Sequence, residues 1–481
     1  MDQPSHFNDP GTTRPPRFPF VRRHPWLTTL AAIVLSLVAL WFVLDWFAER
    51  RLNATIARLR AAGEPLTIEE VERLRRSYPD EENMALWLLE PGETLSAYLE
   101  SEAYKAIRED LLWLGHANMP ELGQRCTDRQ LDASRAFLSE YPDLIATVHE
   151  AAKLPGGRYP IAWQTPQINT LLPHLGRHKH VIKVLALEAT LAAHDADEPR
   201  VYAALRDAMI MSDVLLGEPT VIGGLVSVAC QALCRQVIFD LLALTPLTDE
   251  HLADLLTRIS DADRAPSLHL ALLGERAGVF NTLSWVYAAG GTRQLRLAPD
   301  ATSLMWCLLP GSKRMDLEAL LRIQSRICDA AKLDPDAALQ RARQIDQEFA
   351  NLPGYCVGTK MIMPATSRFF ELWMRSLGEN RAARAILATE RFRLRQGRWP
   401  EQLSDLVPEF LDAVPQDPFD NKPLRFEIRE GDICIWSIGE DLRDDGGAIH
   451  RVSLRKPTDW GYCLLPPHRR NRPAATHPSA D

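Results

Sequence analysis

An uninterrupted apolar stretch near the N-terminus most constrains how this chain can fold. Residues 26–44 read WLTTLAAIVLSLVALWFVL and contain neither a charged residue nor a proline. A helix of this length extends about 28 Å, which matches the hydrocarbon core of a bilayer. The residues that follow, Phe47-Ala48-Glu49-Arg50, do not resemble the cleavage site of a signal peptide. We therefore predict an uncleaved transmembrane anchor over residues 26–45; the alternative is a buried helix of a soluble domain.

The charges beside this stretch do not determine its orientation. The positive-inside rule compares the basic residues on the two sides of a span. Here the two sides are balanced, with arginines at positions 14, 17, 22 and 23 before the stretch and at 50, 51, 58 and 60 after it.

The composition indicates a folded protein without a nucleic-acid partner. A chain of 481 residues, 46% hydrophobic and 25% charged, is long enough for two or three cores. A formal net charge of -8 does not provide the basic surface that phosphate backbones require. The eight cysteines show no CxxC spacing and indicate neither a metal site nor a redox compartment. Only the polar, proline-rich termini, residues 1–25 and 466–481, are predicted to be disordered.

Helical patterning dominates residues 46–378. Thr67 and Glu70 form a capping box at the start of one helix. Short breakers separate further predicted helices at 181–194, 201–216, 221–244 and 250–259, and others are expected at 315–333 and 335–350. Such short connections predict antiparallel hairpins, arranged as a bundle or a solenoid. The arrangement resembles tetratricopeptide α/α stacking, although the diagnostic repeat motif of that family is absent.

Histidines in this region raise the alternative of a metal or catalytic site. Imidazoles at close spacing can bind zinc, as in the cluster His174, His178 and His180. Gly176 is expected to interrupt the helix that would align them. His149-Glu150 begins like a zinc-protease motif, but Lys153 replaces its second histidine. Because no complete catalytic motif is present, we favour a non-enzymatic protein.

Two further features have structural interpretations. Cys230 and Cys234 share a helix face with small apolar neighbours, which is typical of buried cysteines. Glu390 lies within an apolar helical stripe, where a carboxylate needs a partner. We expect this partner to be an arginine such as Arg425, or a backbone amide.

From residue 379 to 465 the pattern changes to helix, loop and hairpin. Two short apolar runs, 423–428 and 432–438, are joined by Glu430-Gly431 and predict two antiparallel strands. Alternation in the first run predicts one buried face made by Leu424, Phe426 and Ile428. Several acidic residues follow the second run.

Three motifs occur in order in this module, GRWPEQLSDLV, VPQDPFDNKPLRF and IWSIGEDLRDDGG. Together they resemble the globular head of the type II secretion pseudopilins, of the major pseudopilin type. The resemblance implies a small α+β fold whose last loop binds calcium. The implied ligands are Asp441, Asp444 and Asp445, with backbone oxygens near Ser437 and with Asp459 from the C-terminal side. Calcium takes six to eight oxygen ligands, which clustered carboxylates and carbonyls supply. The alternative is a solvated acidic turn.

The sequence also departs from this family. Leu442 replaces an expected glycine, and Arg443 adds a positive charge to the loop. The apolar stretch lacks the glutamate of a prepilin cleavage site, and a long helical region separates it from the head. We therefore expect a pseudopilin-like head on a different stalk.

These observations predict a mainly α fold of antiparallel helical hairpins with an N-terminal transmembrane helix and a small α+β C-terminal head. The expected function is that of a non-enzymatic, single-pass protein of a bacterial cytoplasmic membrane, with its bulk outside the cytoplasm, where calcium is millimolar. Its head would dock to a protein of a secretion or envelope assembly. The alternatives are a membrane-tethered enzyme with a site in the helical region and a cytoplasm-facing helical-repeat scaffold.

Overall fold

A single helix, α1 (Pro25–Ala61), carries the apolar stretch into the folded part of the chain. The computed structural model describes residues 25–262, 268–288, 311–363, 366–447, 449 and 459–474. The first half of α1 is exposed, whereas its second half packs on the body through Ala48, Leu52 and Leu59. Most of the first 25 residues lie outside the described part, so the predicted N-terminal tail is not described.

Two of the described helices are long and apolar enough to cross a bilayer. One is α1, over Trp26–Ala61, and none of its most apolar window is buried. The other is Val221–Leu242, where 44% of that window is buried within the body. The second helix contributes Cys230, Ile238 and Leu242 to the hydrophobic core, as a core helix does.

Helices account for most of the described chain. In the first half they are α2 (Ile68–Glu72), α3 (Met84–Trp87), α4 (Leu89–Glu100), α5 (Glu102–Ile107), α6 (Asp128–Glu140), α7 (Pro142–Ala151), α8 (Pro173–His194), α9 (Glu198–Ser212), α10 (Val221–Leu242) and α11 (Asp249–Ala262). In the second half they are α12 (Leu268–Tyr287), α13 (Ser312–Ala330), α14 (Pro335–Ala350), α15 (Val357–Ile362) and α16 (Thr366–Gln396). The predicted connection over residues 286–312 lies mainly outside the described residues.

The long helix α16 joins two hydrophobic clusters. Its first part contributes Phe370 and Met374 to a cluster with α12, α13, α14 and the buried half of α1. Its second part contributes Ile386 and Leu387 to a larger cluster with α3, α4, α6 to α11 and the C-terminal sheet. The C-terminal module therefore shares its core with the helical region.

The sheet has three antiparallel strands in the order β1 (Arg425–Arg429), β2 (Asp432–Ser437) and β3 (Trp460–Leu464). Glu430 and Gly431 both have positive φ, as a two-residue hairpin turn requires. The buried face predicted for the first strand is only partly correct, because Leu424 is buried but Ile428 is exposed. The prediction of a mainly α protein with an N-terminal apolar helix and a small C-terminal sheet is confirmed.

The predicted C-terminal disorder does not hold for residues 466–474. They form a short 3-10 helix, Pro467–Arg469, and then cross the helical region. The Asn471 amide donates to the Ala243 carbonyl at 2.9 Å, and the Arg472 amide donates to the Gly123 carbonyl at 2.7 Å. These backbone hydrogen bonds attach the end of the described chain to two loops of the body. Residues 475–481 lie outside the described part.

Candidate functional site

The register of the sheet brings the predicted calcium ligands to one edge. Ser437, the last residue of β2, pairs with Trp460, the first residue of β3. Asp459 therefore lies beside the point where the acidic loop leaves β2. Of this loop, residues 438–447 and 449 are described.

A buried carboxylate that the sequence reasoning missed holds the start of this loop. Asp417 is fully buried and accepts from the Ser437 hydroxyl at 2.8 Å and from the Ile438 amide at 2.9 Å. Arg425 also donates to it, at 3.1 Å. Burial raises the pKa of Asp417 above its ordinary value, although these bonds oppose the shift. The Ser437 side chain is thus engaged in holding Asp417.

The three loop aspartates are exposed, and two of them, Asp441 and Asp444, close local turns. Asp441 Oδ1 accepts from the Arg443 amide at 3.1 Å. Asp444 Oδ1 accepts from the indole of Trp436 and from the Gly446 amide, both at 3.0 Å. Such side-chain to backbone bonds are common in Asx turns and do not by themselves indicate a metal.

Asp459 differs from these residues because it is buried. Its Oδ2 accepts from the Gly447 amide at 2.6 Å, while its buried Oδ1 has no hydrogen-bond partner within the described residues. Burial raises the pKa of Asp459, hydrogen bonds from the Gly447 and Asp445 amides oppose this shift, and the charges of Asp444 and Asp445 raise the pKa further. The charges of Asp444 and Asp445 therefore act on a buried carboxylate that has one unpaired oxygen.

The described residues do not form a complete metal site. No group of three or more His, Cys, Asp or Glu side chains in the described part of the chain is arranged to hold a metal ion. The donors present at the loop are oxygens, which suit calcium, and the unpaired Asp459 Oδ1 is a suitable ligand atom. Residues 448 and 450–458 of the same loop are outside the described part.

Glu440 is a second contributor that sequence reasoning missed. It accepts from Arg375 at 2.7 Å and from the indole of Trp460 at 3.0 Å. The guanidinium of Arg375 lies 3.8 Å from the ring centroid of Trp460. This cluster fixes the beginning of β3, and with it Asp459, against α16.

A disulfide connects the two strands that flank the loop. Cys434 on β2 and Cys463 on β3 are register partners and are bonded to each other. The remaining described cysteines are free and buried, at positions 126, 230, 234, 328 and 356. Burial raises the pKa of the Cys230 thiol to about 12, so the structural interpretation of this residue is supported.

Two of the three clustered histidines, His174 and His178, are held by internal partners, whereas the buried Nδ1 of His180 has no hydrogen-bond partner within the described residues. α8 continues through Gly176, contrary to the expected interruption, and it aligns His174 and His178. His178 Nε2 contacts the Met211 carbonyl at 2.9 Å and must carry the proton there, so its Nδ1 accepts from the Tyr159 hydroxyl at 2.9 Å. Burial lowers the pKa of His178 to about 4. Since both ring nitrogens are engaged, this histidine has no lone pair for a metal.

His174 belongs to the same buried network. Its Nε2 contacts Glu218 at 3.2 Å, and its ring stacks on Tyr159 with centroids 4.8 Å apart. Glu218 also accepts from Arg75 at 3.1 Å. The arrangement joins α8 to the loops beside it as a structural network.

His149 is also part of an ionic network. Its two ring nitrogens contact Asp207 at 2.6 Å and Glu188 at 2.8 Å. The hydrogen bond to Asp207, together with that to Glu188, raises the pKa of His149 to about 9. The residue is therefore an imidazolium that joins α7 to α8 and α9. It presents no free base to a substrate.

Glu390 has arginine partners, but not the one expected from the sequence. Arg393 donates to it at 2.7 and 3.0 Å, and Arg470 donates at 2.7 and 2.9 Å. Arg425 instead pairs with Asp417 and Asp420. Burial alone would raise the pKa of Glu390, but the hydrogen bonds from Arg470 and Arg393 lower it below its ordinary value. The carboxylate is ionised and structural.

Comparisons with known proteins found no match. This holds for protein-family models, for curated proteins and for solved structures.

Proposed function

We propose that this chain is a non-enzymatic, single-pass protein of a bacterial envelope. Helix α1 anchors it in the cytoplasmic membrane through residues 26–45, and the folded body lies outside the cytoplasm. The helical region serves as an interaction surface built from antiparallel helical hairpins. The pseudopilin-like C-terminal module docks to a protein of a secretion or envelope assembly.

The disulfide is the observation that carries this proposal. Disulfides form and persist in secreted and periplasmic proteins and are rare in the cytosol, where thiols are kept reduced. Cys434 and Cys463 are joined within the C-terminal module, far along the chain from the apolar helix. An extracytoplasmic module and an N-terminal span together favour a short cytoplasmic tail and an external body. The balanced arginines beside the span do not oppose this orientation.

The histidines and Glu390 do not favour the enzymatic alternative. His149, His174, His178 and Glu390 are all engaged by internal hydrogen-bond partners. A catalytic base needs a lone pair that faces a substrate, and these contacts occupy the groups concerned. The contacts support structural roles for the four residues.

Topology is the direct test of this proposal. We expect a reporter enzyme that folds only outside the cytoplasm to be active when fused after Asp481. The same reporter, fused at residue 24, should be inactive. Matched fusions to a reporter that is active only in the cytoplasm should give the opposite pattern. Cytoplasmic activity of the C-terminal fusion would show that the body is inside and would refute the proposal.

Calcium is proposed as a stabilising ion of the acidic loop. The support is the unpaired, buried Oδ1 of Asp459 and the neighbouring charges of Asp444 and Asp445. Asp441 and backbone oxygens near Ser437 complete the proposed ligand set, although the Ser437 side chain itself is bonded to Asp417. Bound calcium would neutralise carboxylates that otherwise repel each other and would order the loop after β2.

The expected result is a calcium-dependent unfolding transition of the full chain in detergent. A ligand at a hundredfold excess over its Kd stabilises the folded state by about 3 kcal/mol. Chelation should therefore lower the melting temperature, and millimolar calcium should restore it. Asp459→Asn should abolish the calcium response, whereas Asp412→Asn, at an exposed position of the same module, should retain it. A wild-type melting curve that does not change with calcium would rule out the ion site.

A further inference from the structure

Two exposed apolar side chains of the body line one cavity, and two others belong to residues adjacent in sequence to its lining. The cavity, of about 180 Å³, is lined in part by Ile168, Ile222 and Ile362. Leu171 and Met361 are next in sequence to lining residues. We propose that the apolar face formed by Ile168, Leu171, Ile222 and Met361 lies in the headgroup zone of the lipid bilayer that holds α1. This inference rests on the proposed membrane anchor.

The exposure of these side chains is unusual for the described body. Leu171 is 81% exposed, Ile168 is 63% exposed and Ile222 is 60% exposed. Single exposed apolar residues are normal, but a group of them beside one cavity marks an interaction surface. The position of this surface relative to α1 indicates that its partner is the lipid bilayer.

Helix α1 fixes the position of the bilayer relative to the body. It is continuous from the apolar stretch into the packed half, so no flexible linker separates the two. Arg314 pairs with Asp45, and Arg51 pairs with Glu318 at 3.5 Å. These contacts show that α13 runs parallel to α1 and begins where the apolar stretch ends. The N-terminus of α13 therefore marks the membrane end of the body.

The C-terminus of α12 lies at the same level. The Tyr287 hydroxyl donates to Asp316, close to the start of α13. Earlier in α12, His269 contacts the Cys328 carbonyl at 3.1 Å, near the far end of α13. Helix α12 therefore runs antiparallel to α13 and ends at the membrane end of the body.

The ends of α12 and α13 show how far the apolar face lies from the membrane end of the body. Thr282, five residues before Tyr287, accepts from the Ile168 amide at 3.3 Å. Five helical residues correspond to about 8 Å. The headgroup zone extends about 5 to 8 Å beyond the hydrocarbon core on each side, so Ile168 lies at about its outer limit. On the other side of the cavity, the Gly358 amide of α15 donates to Asp316 at 2.8 Å, three residues before the exposed Met361.

A lipid surface fits this face because its side chains are apolar and two lysines lie at the membrane end of the body. Lys313 lies 5.9 Å from the ring centroid of Tyr287, and Lys360 is exposed on α15. Apolar side chains with nearby lysines are typical of surfaces that rest in a bilayer interface. The face would restrain rotation of the body on its single anchor.

Spin-label accessibility in the full chain tests this inference. Leu171→Cys, Leu394→Cys and Val38→Cys would be labelled with a nitroxide in vesicles of phosphatidylethanolamine and phosphatidylglycerol. Leu394 is the matched control. It is an exposed leucine near the C-terminal end of α16, about 40 Å along this helix from its first residue, Thr366. The unmutated chain gives the background from its native cysteines.

We expect the ratio of oxygen to nickel-chelate accessibility at position 171 to exceed that at 394 by severalfold and to fall below that at 38. Equal aqueous values at 171 and 394, with a lipid value at 38, would overturn the apolar face while leaving the anchor intact. An aqueous value at 38 would instead refute the anchor, and with it the proposed function.

Discussion

Replacing Glu390 by alanine should destabilise the body by about 3 to 5 kcal/mol, because the change leaves buried guanidinium groups without their carboxylate. Glu390 is almost fully buried and Arg470 nearly so, while Arg393 is only partly exposed. Urea unfolding of the full chain in detergent, followed by circular dichroism, measures the loss. Arg470 would also lose its contact with α16, while the backbone hydrogen bonds of Asn471 and Arg472 would still attach the segment to the body.

Two control variants distinguish the loss of the buried ion pair from a general destabilisation of the fold. Glu409→Ala removes the carboxylate of an exposed pair with Arg395, and solvent-screened pairs of this kind contribute little to stability. The double change Glu390→Met with Arg470→Met removes both buried charges, so it should cost less than Glu390→Ala alone. A loss below about 1 kcal/mol for Glu390→Ala would contradict the structural role of this carboxylate.

The helices were the most predictable part of the fold. Helices α9 to α11, α13 and α14 begin and end within about four residues of the predicted positions, because apolar periodicity and proline or acidic breakers are local signals. Helix α8 instead begins at Pro173, well before the predicted start at residue 181. The capping box at Thr67 and Glu70 is present, with both reciprocal hydrogen bonds. The helix that begins at this box is short and ends at Glu72.

The third strand was less predictable because its signal is weak and its partner is distant. Residues 460–464 include Gly461, which disfavours a strand by propensity. The structure explains this glycine: a Cβ there would lie 2.1 Å from the Ile435 carbonyl oxygen of the neighbouring strand. Pairing of Cys434 with Cys463 depends on the same long-range register. A list of eight cysteines alone does not specify it.

At the candidate site, the sequence predicted which residues need a partner but did not predict which distant residue would be that partner. The need of Glu390 for an arginine followed from burial of a charge, but Arg470 is 80 residues away in sequence and was not predictable. The proposed grouping of Asp459 with Asp444 and Asp445 comes from a family resemblance and stays a prediction. The roles of Asp417 and Glu440 were missed, because each depends on contacts between distant segments. Asp417 precedes a proline, and an Asp-Pro step is typical of a turn, so its sequence context offered no reason to expect that Asp417 is buried.

The disulfide gives the second large expected effect. Cys434 and Cys463 are 29 residues apart in sequence, and a cross-link that closes a loop of this length stabilises a fold by about 3.5 kcal/mol in the chain-entropy description. Cys434→Ser with Cys463→Ser should therefore lower the free energy of unfolding by about 2 to 4 kcal/mol. Urea titration of the full chain in detergent, with and without dithiothreitol, measures this difference.

Adding reductant to each variant distinguishes the effect of the cross-link from the effect of replacing buried sulfur atoms. Reductant should shift the wild-type midpoint towards that of the double-serine chain and should leave the double-serine chain unchanged. Cys230→Ser provides the matched control, since it replaces a buried free thiol and should leave the response to reductant intact. A wild-type midpoint that does not respond to reductant would show that the two cysteines are not joined. The main support for an external body would then be lost, because the arginines beside the apolar helix do not select an orientation.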